Sequence, residues 1–364
     1  MPQIKAAVLR VFGAPLAIEE VTLRDPEAGE IEVTLDAVAI CHSDISFAEG
    51  GWGGALPAVY GHEAAGRVSR LGARVTGLAE GDFVVVTLIK PCGTCPSCGS
   101  GKPTICETPT IEPPKLTDAE GTTIGAAMNC GAFAERVVVS ASQVVALPDD
   151  LPAESAALLA CGVITGVGAV VNAGRLHAGE DVVVIGAGGV GLNAIQGARI
   201  AGARRIVAVD MSEQKLAMAR DFGATHGVLA TGEAPWKDAM AALGGRGADV
   251  VAVTVGATRA YDEAQRYLGW GGRMIMVGMP HTGAMAQYEP AVNAYMGSSM
   301  VGSKMGDVVI GRDIPWMADL YRQGRLKLDE LVSGRWRLDQ INEAIADTKS
   351  GAARRNVILF DRES

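Results

Sequence analysis

The chain has 364 residues, of which 48% are hydrophobic and 20% charged, and its formal net charge at pH 7 is −9. This length exceeds what one hydrophobic core usually supports, so we expect two domains. The acidic balance excludes nucleic acid as an expected partner, because binding to a phosphate backbone relies on Lys and Arg. The 47 glycines are about twice the average share and suit an α/β protein with many tight turns.

The N-terminal residues, 1–10, lack the apolar core and cleavage site of a signal peptide. The most membrane-like stretch, 156–173, contains glycines and has no flanking basic cluster, so we interpret it as a buried helix and turn. We therefore expect a cytoplasmic protein that binds no membrane. In such a reducing compartment, the 7 cysteines are expected to be metal ligands, nucleophiles or core residues rather than disulfides.

Short β-type runs separated by Gly and Pro fill the first 150 residues, at 30–40, 64–72, 82–89 and 132–140. They predict a twisted, mostly antiparallel β domain. Two motifs in this region, Cys41 and the pair His62–Glu63, combine with Cys161 further along the chain. Two thiolates and one imidazole with an open fourth position are typical of a catalytic zinc site. Each residue alone would indicate little, since free Cys and lone His are often structural.

A cysteine quartet follows in the pattern C-x2-C-x2-C-x7-C, formed by Cys92, Cys95, Cys98 and Cys106. Four thiolates within one short segment fit a closed, tetrahedral zinc site. Such a site would stabilise a loop that has too few apolar residues to form its own core. A redox role for the C-x-x-C pairs is the alternative, and it is disfavoured because thioredoxin-type motifs stand at a strand–helix junction.

From Asp181 onwards, strand-like runs alternate with helix-length segments, which predicts βαβ units on a parallel sheet. Gly186, Gly188 and Gly191 form a G-x-G-x-x-G motif directly after the first apolar run, a context that favours a dinucleotide pyrophosphate at a helix N-terminus. Asp210 ends the next strand about 20 residues on, where a carboxylate accepts ribose hydroxyls and repels a 2′-phosphate. NAD is therefore favoured over NADP, with Lys215 flanking the ribose. Alternatively, Asp210 caps the following helix.

After about residue 300 the sequence predicts an amphipathic helix at 314–324 and a closing strand at 354–360. The chain resembles the zinc-dependent medium-chain alcohol dehydrogenases over nearly its full length. The resemblance is carried by the cysteine quartet, the "GHEAAG" segment at 61–66 and the Gly-rich turn, which occur in the order found in that family. The resemblance implies an α/β fold class: a GroES-like, β-rich catalytic domain at 1–161 and 302–364, and a Rossmann NAD-binding domain with a doubly wound parallel sheet at 162–301.

The same resemblance implies NAD and two zinc ions per chain, and it assigns roles to individual residues. Cys41, His62 and Cys161 match the catalytic zinc ligands, and Glu63 matches a carboxylate that can approach the metal. Asp44 would orient His62, and Ser43 would take the alcohol proton, although Ser43 could also cap a short helix beginning at Asp44. Thr165 and Val190 match nicotinamide contacts, while His42 and Arg355 match pyrophosphate contacts. The full expected cofactor set is His42, Thr165, Gly186, Gly188, Gly189, Val190, Gly191, Asp210, Lys215, Val277 and Arg355.

The implied reaction is the reversible oxidation of a primary or secondary alcohol to an aldehyde or ketone, with hydride transfer to NAD. Glutathione-dependent formaldehyde dehydrogenase is an alternative, disfavoured because Pro109 stands where that branch needs a basic residue. A polyol dehydrogenase is another, although that branch places a carboxylate at the position of Cys161. A zinc-free quinone reductase of the same superfamily and a catalytically silent zinc- and NAD-binding module are the remaining alternatives.

The resemblance also suggests an apolar substrate pocket formed by Trp52, Leu88, Met128 and Met279, suited to a medium-sized aliphatic or aromatic alcohol. A homodimer is expected, and a homotetramer stays open because the connection 106–133 is intermediate in length. We expect four further residues to be structural: Cys130, His177, His226 and His281. Ser46 stands where the best-known members of the family have the histidine that ends their proton relay, so the terminal base stays open.

Overall fold

The computed structural model describes residues 1–108, 113–351 and 353–361, so Pro109 lies outside the described residues. The chain divides into two compact units, Met1–Cys161 with Val309–Ser364, and Gly162–Val308. The second unit thus ends later than the predicted boundary at residue 301. The physical reason is that the strand Ser299–Gly302 belongs to the sheet of the second unit, and the turn after it packs tightly on a helix of the same unit.

Helices and strands alternate with many short turns, as the glycine content predicts. The strands, numbered in chain order, are β1 (Gln3–Leu9), β2 (Ala17–Leu23), β3 (Glu30–Ala39), β4 (Ala58–Val59), β5 (Glu63–Leu71), β6 (Phe83–Thr87), β7 (Leu116–Thr117), β8 (Thr123–Ala126), β9 (Arg136–Ser140), β10 (Val144–Ala146), β11 (Asp181–Ile185), β12 (Arg205–Asp210), β13 (His226–Leu229), β14 (Ala248–Val253), β15 (Leu268–Met276), β16 (Ser299–Gly302), β17 (Val332–Trp336) and β18 (Arg355–Leu359). The helices are α1 (His42–Ala48), α2 (Pro96–Gly99), α3 (Ala153–Leu158), α4 (Gly162–Gly168), α5 (Gly189–Ile200), α6 (Glu213–Asp221), α7 (Pro235–Ala242), α8 (Thr258–Ala264), α9 (Pro290–Met296), α10 (Ile310–Arg322) and α11 (Ile341–Ser350).

The first unit contains a closed barrel in the order β1-β2-β7-β8-β4 and a larger sheet in the order β10-β6-β5-β3-β18-β17, in which β9 also pairs with β3. Most neighbouring strands are antiparallel; the exceptions are β17 with β18 and β4 with β8. One apolar core joins barrel and sheet, with Ile4, Val33 and Val86 among its buried members. Long runs of Val, Ile and Leu form these strands because branched side chains pack well on a pleated surface.

The strand ends of this sheet place the chain segments that matter for chemistry. Ile40 follows β3 and donates its N–H to the Asn356 carbonyl of β18, and α1 begins two residues later. Glu63 opens β5 and lies opposite Thr87, the last residue of β6. The helix α3 packs on β3 and β5. Consequently, the end of β3, the start of β5 and the end of β6 lie side by side at one edge of the sheet.

The second unit contains a parallel sheet in the order β13-β12-β11-β14-β15-β16. Counted within the unit this order is 3-2-1-4-5-6, which is the doubly wound dinucleotide-binding arrangement. Every residue of β11 is buried, as expected for a parallel strand covered on both faces. The apolar segment 156–173 forms α3, α4 and a π-helical turn. Among the residues that the structure describes, no helix has the length and apolar character needed to cross a membrane.

Candidate metal centres and nucleotide site

Four buried side chains meet in the first unit: Cys41, His62, Glu63 and Cys161. Each offers one ligand atom, and these atoms all lie within 4.8 Å of one another. Cys41 caps the N-terminus of α1, His62 and Glu63 stand at the start of β5, and Cys161 follows α3. The structure therefore brings together residues that are scattered along the sequence, because the sheet edge gathers their segments.

Asp44 connects two of the segments around this cluster, the start of α1 and the residues that lead into β5. Its Oδ1 lies 2.9 Å from His62 Nδ1 and accepts the Gly61 N–H at 2.9 Å, and its Oδ2 accepts the Cys41 N–H at 3.1 Å. This pairing assigns Nδ1 as the nitrogen that faces the carboxylate and leaves Nε2 for the other side of the ring. The helix α1 begins at His42, with Cys41 as its N-cap, so the alternative of a helix that starts at Asp44 with Ser43 as its cap is wrong. Asp44 is the third residue of the helix.

The hydrogen bonding of the His62 imidazole shows whether a metal ion fits this cluster. Within the described parts of the chain, the buried Nε2 of His62 has no hydrogen-bond partner. An unsatisfied buried nitrogen in a native protein requires an explanation. One imidazole within 4.8 Å of two cysteine sulfurs, with its other ring nitrogen held by a carboxylate, forms a donor set that zinc prefers. The residues present therefore fit a zinc ion.

The pKa shifts of the cluster residues also favour a bound cation. A hydrogen bond between the two sulfurs lowers the pKa of Cys41 well below its ordinary value and raises that of Cys161 well above it. Burial alone would lower the pKa of His62, but the Asp44 carboxylate and, after it, the Cys41 sulfur outweigh burial and raise that pKa well above the ordinary value. The two thiols thus compete for one proton, and a cation is what allows both sulfurs to be thiolates.

Arg355 contributes a contact that the sequence did not reveal. Its Nη2 donates to Glu63 Oε2 in a pair where Glu63 is fully buried and Arg355 is 7% exposed. Burial raises the pKa of Glu63 to about 7, and Arg355 opposes this rise. The resemblance assigned Arg355 to the pyrophosphate instead, and that role stays a prediction. No local signal could have shown the pair, since the two residues are 292 positions apart.

The cysteine quartet forms a second cluster with a different character. The ligand atoms of Cys92, Cys95, Cys98 and Cys106 also lie within 4.8 Å of one another. Backbone N–H groups surround the sulfurs: Cys95 N–H lies 3.2 Å from Cys92 Sγ, and Cys98 N–H lies 3.4 Å from Cys95 Sγ. The Thr108 hydroxyl and backbone donors lower the pKa of Cys92 to about 5. These contacts stabilise thiolates, so the quartet fits a closed zinc site, and none of the 7 cysteines forms a disulfide.

The Gly-rich turn joins β11 to α5 in the second unit. Gly186 has a φ of +96°, and a Cβ on Gly191 would lie 1.8 Å from the Gly186 carbonyl oxygen. A Cβ on Gly188, the N-cap of α5, would meet nothing within 4 Å. The turn is therefore tight on its inner side and open above Gly188, which is the shape that a pyrophosphate at a helix N-terminus requires.

Asp210 and Ser212 follow the neighbouring strand β12. Asp210 accepts the Ala187 N–H at 2.8 Å and the Ser212 N–H at 3.0 Å, so its carboxylate borders the Gly-rich turn. Ser212 is the N-cap of α6 and accepts the Lys215 N–H at 3.4 Å. The alternative that Asp210 merely caps this helix is therefore wrong. Its position beside the turn fits a ribose acceptor.

The remaining predicted residues differ in how far they are exposed to solvent. In the first unit, His42 is exposed at the start of α1, whereas Ser43, Trp52, Leu88 and Met128 are half-buried. In the second unit, Thr165 is buried, Gly189, Val190, Lys215 and Val277 are half-buried, and Met279 is 64% exposed. Residues expected to be structural are Cys130, a buried core residue, and the exposed His177, His226 and His281.

Two family models match this chain. Residues 27–149 match the model of the alcohol dehydrogenase GroES-like domain, and residues 189–323 match that of the zinc-binding dehydrogenase family. The NDMA-dependent alcohol dehydrogenase of Amycolatopsis methanolica is 36% identical over 99% of both chains. The chain belongs to the zinc-dependent medium-chain alcohol dehydrogenases. This confirms the resemblance inferred from the sequence motifs.

Solved structures of family members share the whole fold. A zinc-binding-domain alcohol dehydrogenase from Burkholderia ambifaria has a TM-score of 0.95 at 33% identity, with 99% of this chain and 100% of that chain covered. Benzyl alcohol dehydrogenase from Acinetobacter calcoaceticus has a TM-score of 0.93 at 30% identity, with the same coverage. The predicted α/β fold class, with a GroES-like β domain and a parallel-sheet dinucleotide-binding domain, is thereby confirmed.

Proposed function

We propose that this protein oxidises primary or secondary alcohols to aldehydes or ketones, reversibly, at the cluster of Cys41, His62 and Cys161, with NAD as hydride acceptor. The observation that carries the proposal is the orphaned His62 Nε2, which lies buried among two sulfurs and the Glu63 carboxyl. Cys41, His62 and Cys161 would supply three donors to a zinc ion, and three protein donors leave a fourth position for a substrate oxygen, as in catalytic zinc sites.

When bound, zinc supplies a Lewis acid for the alcohol oxygen, and the nicotinamide supplies the hydride acceptor. The protein's own residues hold and order these parts. Asp44 fixes the tautomer of His62 through Nδ1. Ser43, two residues after Cys41, is the proposed first acceptor of the alcohol proton. A serine hydroxyl transfers a proton onward but does not retain it near neutral pH.

Asp210 is the proposed determinant of NAD over NADP. Its carboxylate accepts the N–H of Ala187 in the Gly-rich turn and the N–H of Ser212 after β12, and a carboxylate beside this turn can accept a ribose 2′-hydroxyl. We expect Asp210→Gly to raise the KM for NAD and to improve the relative use of NADP by about tenfold or more, which corresponds to one lost polar contact and one removed charge. A wild-type enzyme that prefers NADP would contradict this assignment.

Two further properties stay predictions. A homodimer is expected, with a homotetramer as the alternative, and the location is expected to be cytoplasmic. Two zinc ions per chain are proposed from the two cysteine-containing clusters, since both donor sets suit zinc.

The direct test is a screen of the purified protein with ethanol, secondary alcohols, benzyl alcohol and hydroxymethyl-glutathione. Each substrate is assayed with NAD and, separately, with NDMA, because a similar dehydrogenase is named for that dependence. Alcohol-dependent reduction of NAD that is absent in Cys161→Ser would support the proposal. Turnover with NDMA alone would contradict NAD as the dissociable acceptor, and oxidation of hydroxymethyl-glutathione alone would favour the formaldehyde branch.

A further inference from the structure

The turn at 127–131 in the first unit has an unusual backbone. Met128 and Asn129 have φ values of 50° and 64°, and Gly131 has a φ of 65°. Asparagine and glycine adopt this left-handed conformation at little cost, whereas for methionine it is rare and strained. Strain of this kind persists only where the surroundings hold the chain, and it concentrates at functional sites.

Two amide side chains hold this turn. Gln143 is fully buried, and its Nε2 donates to the carbonyl oxygens of Thr87 at 3.0 Å and Asn129 at 3.2 Å. The Oε1 of Gln143 accepts the Ser140 N–H at 3.1 Å. Asn129 in turn donates from Nδ2 to the Leu88 carbonyl at 3.1 Å. Hydrogen bonds from both amide side chains therefore link the turn to the end of β6.

The tied segments border the proposed zinc ligands. Thr87 lies opposite Glu63 in the β5–β6 pairing. On the other side, Ala132 N–H donates to the Gly61 carbonyl at 2.9 Å, and Phe133 N–H donates to the Tyr60 carbonyl at 2.8 Å. The turn thus lies between the segment that leads into His62 and the segment that leaves β6. Leu88, in the segment that leaves β6, and Met128, in the turn, are both half-buried and apolar, and both pack against the apolar core of the first unit.

We propose that Asn129 is a positioning residue for substrate selection. By adopting a left-handed conformation and donating to the Leu88 carbonyl, Asn129 fixes the backbone that carries Leu88 and Met128, the two residues predicted above to form an apolar wall of the substrate pocket, next to the segments that hold Glu63 and His62. This proposal rests on the proposed function, because the apolar wall would limit the size of the alcohol that the enzyme oxidises. A rigid wall penalises a bulky substrate, since it cannot move aside without breaking the Asn129 hydrogen bond.

The test removes that hydrogen bond while keeping the backbone conformation. Asn129→Asp has almost the same size, but its carboxylate cannot donate to the Leu88 carbonyl. Asn129→Gly removes the side chain and keeps the left-handed backbone at little cost. We measure kcat/KM for benzyl alcohol and for ethanol and expect the benzyl-to-ethanol ratio to rise about tenfold in both variants, a usual size for a change in one apolar pocket contact.

Arg74→Gly is the matched control, because Arg74 is an exposed left-handed residue (φ 64°) in the same unit. It should leave the ratio unchanged. The ratio decides the question, since a loss of folded protein lowers both rates equally. A wild-type ratio in both Asn129 variants, with or without a lower Tm, would overturn the positioning role alone. A wild-type enzyme that oxidises none of the alcohols in the screen above would overturn the proposed function and this assignment with it.

Discussion

The two cysteine-containing clusters of the first unit contrast in how the chain holds their ligands. The quartet Cys92–Cys106 lies in one short segment, Cys92 is exposed, and backbone N–H groups support its sulfurs. The cluster of Cys41, His62 and Cys161 is buried and gathers segments that are far apart in sequence. Side chains hold this second cluster in place: Asp44 contacts His62, and Arg355 contacts Glu63.

This contrast separates two uses of similar ligands. Four thiolates close a coordination sphere and stabilise a polar loop, which needs no further groups around it. A site for chemistry needs an open position, a fixed imidazole tautomer and a water-poor surrounding, and those properties depend on residues beyond the ligands. We therefore expect substitutions in the buried cluster to change the rate and those in the quartet to change stability.

The largest expected effect comes from exchanging one ligand in each cluster. Cys161→Ser should reduce kcat/KM at least about a thousandfold, because a Lewis acid supplies several kcal/mol of transition-state stabilisation. Its Tm should stay near that of the wild type. Cys95→Ser, the matched substitution in the quartet, should lower the Tm by at least about 5 °C. Equal effects of both variants on rate and Tm would contradict the separation of roles.

The proton path gives the next largest effect. Ser43→Ala should lower the alcohol oxidation rate by about two to four orders of magnitude, the usual contribution of one acid–base group. Ser46→Ala, on the same helix, is the control and should have little effect. Ser46→His should add or shift a titration near neutral pH in the rate profile. If Ser43→Ala kept its rate while hydride transfer limited turnover, the proton would have to leave by another route.

The orientation of His62 is expected to matter less than the ligands themselves. Asp44→Asn keeps the size of the side chain but cannot accept all three hydrogen bonds of the carboxylate. Loss of such an orienting carboxylate usually costs about 10- to 100-fold in metal affinity or activity. Zinc in the quartet provides an internal control in the same sample, since its retention would show that the loss is local. A variant with wild-type zinc affinity and rate would contradict the role of Asp44.

The contrast also explains what the sequence predicted. The quartet and the Gly-rich turn are local patterns, so their geometry follows from spacing and from glycines such as Gly186 and Gly191, which the structure shows to be sterically required. The fold class was predictable because strand periodicity and strand–helix alternation reflect burial. The sequence also paired Asp44 with His62, but only through the resemblance to a family.

The remaining features arise from tertiary contacts that leave no local signal. The Arg355–Glu63 pair joins the last strand to β5, and the tie from Asn129 to Leu88 spans 41 positions. The start of α1 was predicted too late because Ser43 and Asp44 are both good N-cap residues, whereas the actual N-cap is Cys41. The end of the second unit was predicted at residue 301, within β16, because the tertiary contact that extends the unit to residue 308, the packing of the turn Met305–Asp307 on α4, leaves no local signal.

The most direct test of the two roles is to count zinc while a mild chelator removes it, with activity and Tm followed in the same samples. We predict about two zinc ions per chain at the start. The first ion lost should abolish activity with little change in Tm, because a closed set of four thiolates holds zinc more firmly than an open site, although the quartet is the more exposed cluster. A total of one zinc per chain, or a fall in Tm that precedes the loss of activity, would contradict this account.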